Sequence, residues 1–111
     1  MHPKLIHIPL HSDSRGYLSF AENFNQLPFA IKQVSWICDF IHNHEVLDIE
    51  YTSTDIGVVA LSGSCTVKIN DNIQELHIEL DNPNSLLLIP AESECTFNNI
   101  TPNTILMILK S

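Results

Sequence analysis

Cys65, Val67 and Ile69 alternate with Thr66, Lys68 and Asn70, and a few residues later Leu76, Ile78 and Leu80 alternate with Glu75, His77 and Glu79. Period-two alternation puts one class of side chain on each face of an extended strand and does not fit the 3.6-residue stripe of a helix. No segment of the chain carries a sustained helical stripe, so an all-β fold is expected. Asn70-Asp71-Asn72 tolerates the left-handed backbone of a tight turn and predicts a hairpin between these two strands. Val58-Val59-Ala60-Leu61 runs into Ser62-Gly63-Ser64, which predicts another hairpin, from Gly57 to Asp71, turning at the glycine.

Ser85-Leu86-Leu87-Leu88-Ile89 before Pro90, and Thr104 to Leu109, are near-continuous apolar runs of strand length, expected to be buried on both faces. Tyr17 to Ala21 and Ile31 to Asp39 read as strands, joined by the polar segment Glu22 to Pro28. The one helical candidate is a turn near Ala21 to Gln26. Strands at spacings of roughly eight to twelve residues with turn signals between them describe a sandwich or small barrel. No repeat or low-complexity linker interrupts residues 1–111, so a single domain is expected.

With 44% apolar and 16% charged residues, a chain of 111 residues can bury a core. Five basic against thirteen acidic groups give a formal charge of -8, which leaves no electrostatic footprint for nucleic acid or an anionic membrane. Apolar runs of about five residues are too short for a membrane span or an export signal. Cys38, Cys65 and Cys95 show no CxxC or zinc spacing and fit reduced thiols in a cytoplasmic protein.

Two stretches carry a resemblance: Ser12-Asp13-Ser14-Arg15-Gly16-Tyr17-Leu18 followed by Glu22, and Leu27-Pro28-Phe29-Ala30-Ile31-Lys32-Gln33-Val34. Together they resemble the opening of the WxcM-like family, which contains the dTDP-sugar 3,4-ketoisomerases and reads D-x-R-G-x-L, a glutamate, then I-P-F-x-I-K-R-V. Leu61-Ser62-Gly63-Ser64-Cys65, Leu80-Asp81-Asn82-Pro83 and Pro90-Ala91 extend the resemblance over nearly the whole chain. It implies a cupin-type double-stranded β-helix, a jelly-roll barrel that dimerises and takes a nucleotide-linked sugar without a cofactor. The amino-terminal segment, with Leu5, Ile6, Ile8 and Leu10, is expected to cover the sheet edge of a neighbouring subunit.

The family's reaction moves a carbonyl from C4 to C3 of the hexose, removing a proton beside the carbonyl and returning one to an enediol. Groups with pKa near neutrality suit this, and the family supplies two histidines as H-x-H with an arginine upstream. Counted without gaps between Ile31-Lys32 and Ser62-Gly63-Ser64, the H-x-H falls on Ile49-Glu50-Tyr51 and the arginine on Val46. The family's tyrosine after K-R-V becomes Ser35, and its tryptophan-histidine pair becomes Ser93-Glu94. Isoleucine transfers no proton, and a tyrosine with pKa near ~10 is a poor base at pH 7. The expectation is a non-catalytic member in surface-polysaccharide biosynthesis that binds a sugar nucleotide weakly or serves in assembly.

An active isomerase or epimerase would need substituted groups. Tyr51, Asp55 and Glu94 are the candidates, since burial can turn a carboxyl into a proton donor. The substrate-binding candidates are Arg15, with a fork that grips phosphate or a carboxylate such as Glu22, Trp36, which with Phe40 could stack on a base or sugar, and Tyr51, which the resemblance sets near the family's cleft. A third reading is a metal site at His42-Asn43-His44, near Glu45, Asp48 and Glu50, whose imidazoles are competent transition-metal ligands. Metal cupins place a glutamate about seven residues before the turn glycine, which is Ile56 here. His42 and His44 therefore fall too early and are expected to be solvated loop residues. His2, His7, His11 and His77 are expected at the surface.

Overall fold

The computed structural model describes residues 3–7, 10–13, 16–19, 29–40, 45–49, 53–70 and 73–111. These form eleven strands and no helix: β1 Lys4–His7, β2 Leu10–Asp13, β3 Gly16–Ser19, β4 Gln33–Ile37, β5 Glu45–Ile49, β6 Ile56–Ser62, β7 Cys65–Asn70, β8 Glu75–Leu80, β9 Ser85–Ile89, β10 Glu94–Ile100 and β11 Ile105–Lys110. A five-stranded sheet has the order β1-β9-β6-β11-β4, a four-stranded sheet the order β5-β10-β7-β8, and β2 pairs with β3 alone. Every pairing is antiparallel. The turn expected near Ala21 to Gln26 lies outside the described residues.

Alternation in β7 and β8 becomes the expected hairpin, with Val67 opposite Ile78 and Ile69 opposite Leu76. Val67 and Ile69 are buried, whereas Glu75 and Glu79 face water. The hairpin expected from Gly57 to Asp71 is not formed. β6 pairs with β9 and β11, β7 pairs with β8 and β10, and Gly63 carries the chain from one sheet to the other. The reason is visible in burial: Ile56 to Ala60 are buried at every position, while β7 is buried only at alternate ones. A strand covered on both faces and a strand wetted on one face belong to different sheets.

The corner at Gly63 is tight. Gly63 has φ +75°, and the Ser64 N–H that follows donates to Thr101 Oγ1 at 3.1 Å and Thr104 Oγ1 at 3.3 Å. Thr104 Oγ1 donates to the Thr101 carbonyl at 2.7 Å, and the Thr101 N–H donates to the Ser64 carbonyl at 3.0 Å. Thr104 is fully buried. Two threonines thus satisfy backbone groups that the change of sheet would leave unpaired.

Between the sheets, Val58, Ala60, Val67, Ile69, Leu80, Leu87, Ile89, Phe97, Ile100 and Leu106 form a core with Cys65 and Cys95. A second cluster lies on the other face of the five-stranded sheet, where Val59, Leu86, Leu88 and Leu109 are covered by Phe29, with Ile6, Ile31 and Met107 at its margin. This cover explains why β9 is buried at all five positions, as its unbroken apolar run implied.

β4 is shorter than the strand expected from Ile31 to Asp39, because Ile31 packs on the outer face before the strand begins and Asp39 adopts φ 67° after it ends. The amino-terminal segment also departs from expectation. β1 covers the edge of its own sheet, pairing Lys4 with Leu88 and His7 with Ser85 of β9.

Candidate functional site

Backbone register fixes what surrounds the position to which the family's first histidine was counted. β5 sets Ile49 opposite Cys95 of β10 and Leu47 opposite Phe97, and β10 sets Cys95 opposite Ile69 of β7. Cys95 is 2% exposed and Ile69 1%, both within the core between the sheets. The described residues beside Ile49 are therefore closely packed apolar groups.

Alternation along β10 decides the fate of Glu94. Ser93 and Cys95 are buried and Glu94 between them is exposed, so its carboxylate lies on the outer face of the four-stranded sheet. A candidate proton donor at this position is in water and does not line the barrel. Trp36 also takes the outer side of its strand. Ile37 packs against the inner core, while Trp36, one residue earlier and in register with Met107, is 67% exposed on the outer face of the other sheet.

Asp55 is half-buried just before β6. Its Oδ1 accepts a hydrogen bond from the Ala91 N–H at 2.8 Å, and its carbonyl accepts one from the Ser111 N–H at 3.1 Å. The carboxylate ties β6 to the turn that precedes β10, a positioning contact that the sequence does not announce because its partner is a backbone amide 36 residues away. Arg15, Tyr51, His42, His44 and Glu50 lie outside the described residues. Among the described residues, no group of three or more His, Cys, Asp or Glu side chains could hold a metal ion.

Among the residues whose burial is described, the buried polar ones are Ser85, Ser93 and Thr104, and none of them carries charge. Among the residues whose burial is described, the titratable groups in the inner core are Cys65 and Cys95, whose thiols burial pushes up from 9.0 to about 11. Both are neutral at pH 7, because desolvation disfavours the thiolate. Native protein at pH 8 should therefore expose one fast-reacting thiol, the exposed Cys38, with Cys65 and Cys95 reacting only on unfolding. Because the folded-state values lie above those of the unfolded chain, the stability this burial confers is complete below about pH 8.5 and is lost as pH rises toward 11. A thiol titration with and without denaturant checks the first point, and three fast thiols in native protein would contradict it.

The geometry can now be set beside known proteins. The family FdtA, described as WxcM-like, C-terminal, matches residues 1–111. The structure is similar to the WlaRB TDP-quinovose 3,4-ketoisomerase from Campylobacter jejuni, with 26% identity over 96% of this chain and 82% of the other, at a TM-score of 0.85. A 3,4-ketoisomerase from Helicobacter canadensis matches with 25% identity over 98% and 82% of the two chains, at a TM-score of 0.90. A mutant of the 3,4-ketoisomerase QdtA from Thermoanaerobacterium thermosaccharolyticum, in complex with TDP-4-keto-6-deoxyglucose, shares the fold at 23% identity, 97% and 78% coverage and a TM-score of 0.88. No curated protein matches the chain. The two antiparallel sheets are thus those of a cupin-type barrel, and the relatives are TDP-sugar ketoisomerases. The chain belongs to the WxcM-like, C-terminal family.

Proposed function

We propose that this chain is a non-catalytic WxcM-like cupin, a single-domain cytoplasmic homodimer that binds a nucleotide-linked sugar weakly or serves in assembly within surface-polysaccharide biosynthesis. The observation that carries this reading is the apolar packing beside Ile49. Cys95 and Ile69 fill the register positions around it, the nearby carboxylate of Glu94 points to water, and the interior thiols are neutral at physiological pH. Proton transfer at C3 needs an acid and a base poised near neutrality, and each such group is typically worth about 10²- to 10⁴-fold in rate. The charge of -8 also opposes a pyrophosphate, which supports weak rather than tight binding.

Proton NMR of TDP-4-keto-6-deoxyglucose with and without the protein tests this. Broadened ligand lines without new sugar resonances are the expected result for a binding scaffold, and unchanged lines leave the assembly role. New resonances that disappear in Tyr51→Phe would replace this reading with an isomerase built on substituted groups.

A further inference from the structure

We infer that β8 is a docking edge for an extended basic segment of another protein, which adds antiparallel to the four-stranded sheet with lysine or arginine outward and apolar side chains inward. This goes beyond the function proposed above and holds whether or not the barrel takes a sugar. β8 ends its sheet, and among the described residues its strand neighbour is β7 alone. An end strand presents a row of backbone N–H and C=O groups to whatever lies beside it. Strand addition draws affinity from those groups and selectivity from alternate side chains.

The inner face sets the apolar half of the partner. Val67 and Ile69 of β7 are 0% and 1% exposed, while Ile78 and Leu76, in register with them on β8, are only half-buried. The apolar face of the sheet therefore runs out to its rim, and Ile73, where the chain enters β8, is 82% exposed. A strand with an apolar residue at every second position covers Leu76 and Ile78 from the open side. The outer face sets the other half. Glu75, His77 and Glu79 alternate with these residues, and all three are exposed. Lys68 of β7 pairs with Glu75 at 2.8 Å and is in register with His77, while Glu79 lies opposite Thr66, so the rim carries more acid than base. These charges select against a second copy of the chain. Antiparallel self-pairing centred on His77 sets Glu75 against the partner's Glu79 on both sides, and like charges directly opposite each other are destabilising. A strand that brings cations to the same positions gains what a second copy loses, and thirteen acidic against five basic groups in the chain favour the same partner.

The probe is a fluorescein-labelled peptide of lysines alternating with valines, titrated against the full chain by fluorescence anisotropy and located by amide proton–nitrogen correlation spectra. Saturable binding with amide shifts confined to β8 and β7 is expected. Glutamate in place of lysine in the peptide should abolish binding. Methylating the peptide amides that face β8 removes ladder donors, keeps every charge and should weaken binding about tenfold. Glu79→Lys, at an exposed position, should weaken it about fivefold with unchanged far-ultraviolet dichroism. The methylated peptide is measured on the unaltered protein, so that comparison is independent of how any variant folds. Absence of saturable binding, or shifts elsewhere on the barrel, would overturn the docking edge. A methylated peptide that binds as tightly as its parent would overturn it too, since attraction of charge without strand addition gives that result.

Discussion

Gly63→Ala is expected to destabilise the protein by about 3–4 kcal/mol, lowering its melting temperature by roughly 10–20 °C. An added Cβ would collide with Thr104 Oγ1 and would meet Thr104 Cα at 2.8 Å and Thr101 Oγ1 at 2.9 Å. One of these is a backbone atom of a fully buried residue, so rotating a side chain does not make room. The φ of +75° adds about 1–2 kcal/mol for any L side chain. Moving either threonine also breaks bonds to the Ser64 amide and carbonyl, at about 1 kcal/mol each. Urea unfolding followed by far-ultraviolet dichroism measures the sum. A variant as stable as the parent would mean that the corner relaxes and does not hold the two sheets in place.

Cys95→Asp should cost about 4 kcal/mol at pH 7.5 and distinctly less at pH 4.5. The position is 2% exposed and opposite Ile49, among apolar neighbours. A carboxyl there loses its hydration, and full burial raises such a group by up to ~3–5 pH units, each worth about 1.4 kcal/mol. The sign follows from linkage. The folded-state value rises above the unfolded ~3.9, so stability is retained below pH 4 and lost as pH rises from there, when the unfolded chain ionises and the folded chain does not. Unfolding of variant and parent compared at each pH isolates the effect. An equal, small loss at both values would mean that the carboxylate reaches water and that a wet cleft adjoins Ile49, which would favour a catalytic reading.

Much of the barrel is written in the alternation of β7 and β8 and in the unbroken apolar runs of β9 and β11. Period-two patterning states which face a residue takes, but not which strand lies beside it. For that reason Ser62-Gly63-Ser64 reads equally well as a hairpin turn and as a passage between sheets. The discriminating signal was the change from continuous to alternating apolar residues across Gly63, since Val58 to Leu61 have no polar face to offer water. The amino-terminal strand was legible as an edge cover, but a linear pattern holds nothing that separates an edge in the same chain from one in a neighbour.

The site was less legible, for a reason of geometry. A displacement of one residue along a strand moves a side chain to the opposite face. The family's tryptophan-histidine pair was counted onto Ser93-Glu94, and the ionisable member of that pair is the one facing out, while Cys95, two residues after Ser93, faces in. Trp36 faces out in the same manner beside the inward Ile37. Asp55 presents the opposite problem: its residue type suggests chemistry, and its hydrogen bond to Ala91 gives it a place in the scaffold.

The most direct test of the proposed non-catalytic reading is solvent exchange at C3 of the sugar. TDP-4-keto-6-deoxyglucose is incubated with stoichiometric protein in deuterium oxide near neutral pH, and its C3 proton resonance is followed against a protein-free control. Proton removal at C3 exchanges that hydrogen for deuterium even where the carbonyl never moves, so the measurement detects a half-reaction as well as full turnover. Retention of the C3 proton at the rate of the control is the result this account requires, and accelerated loss of that signal would contradict it.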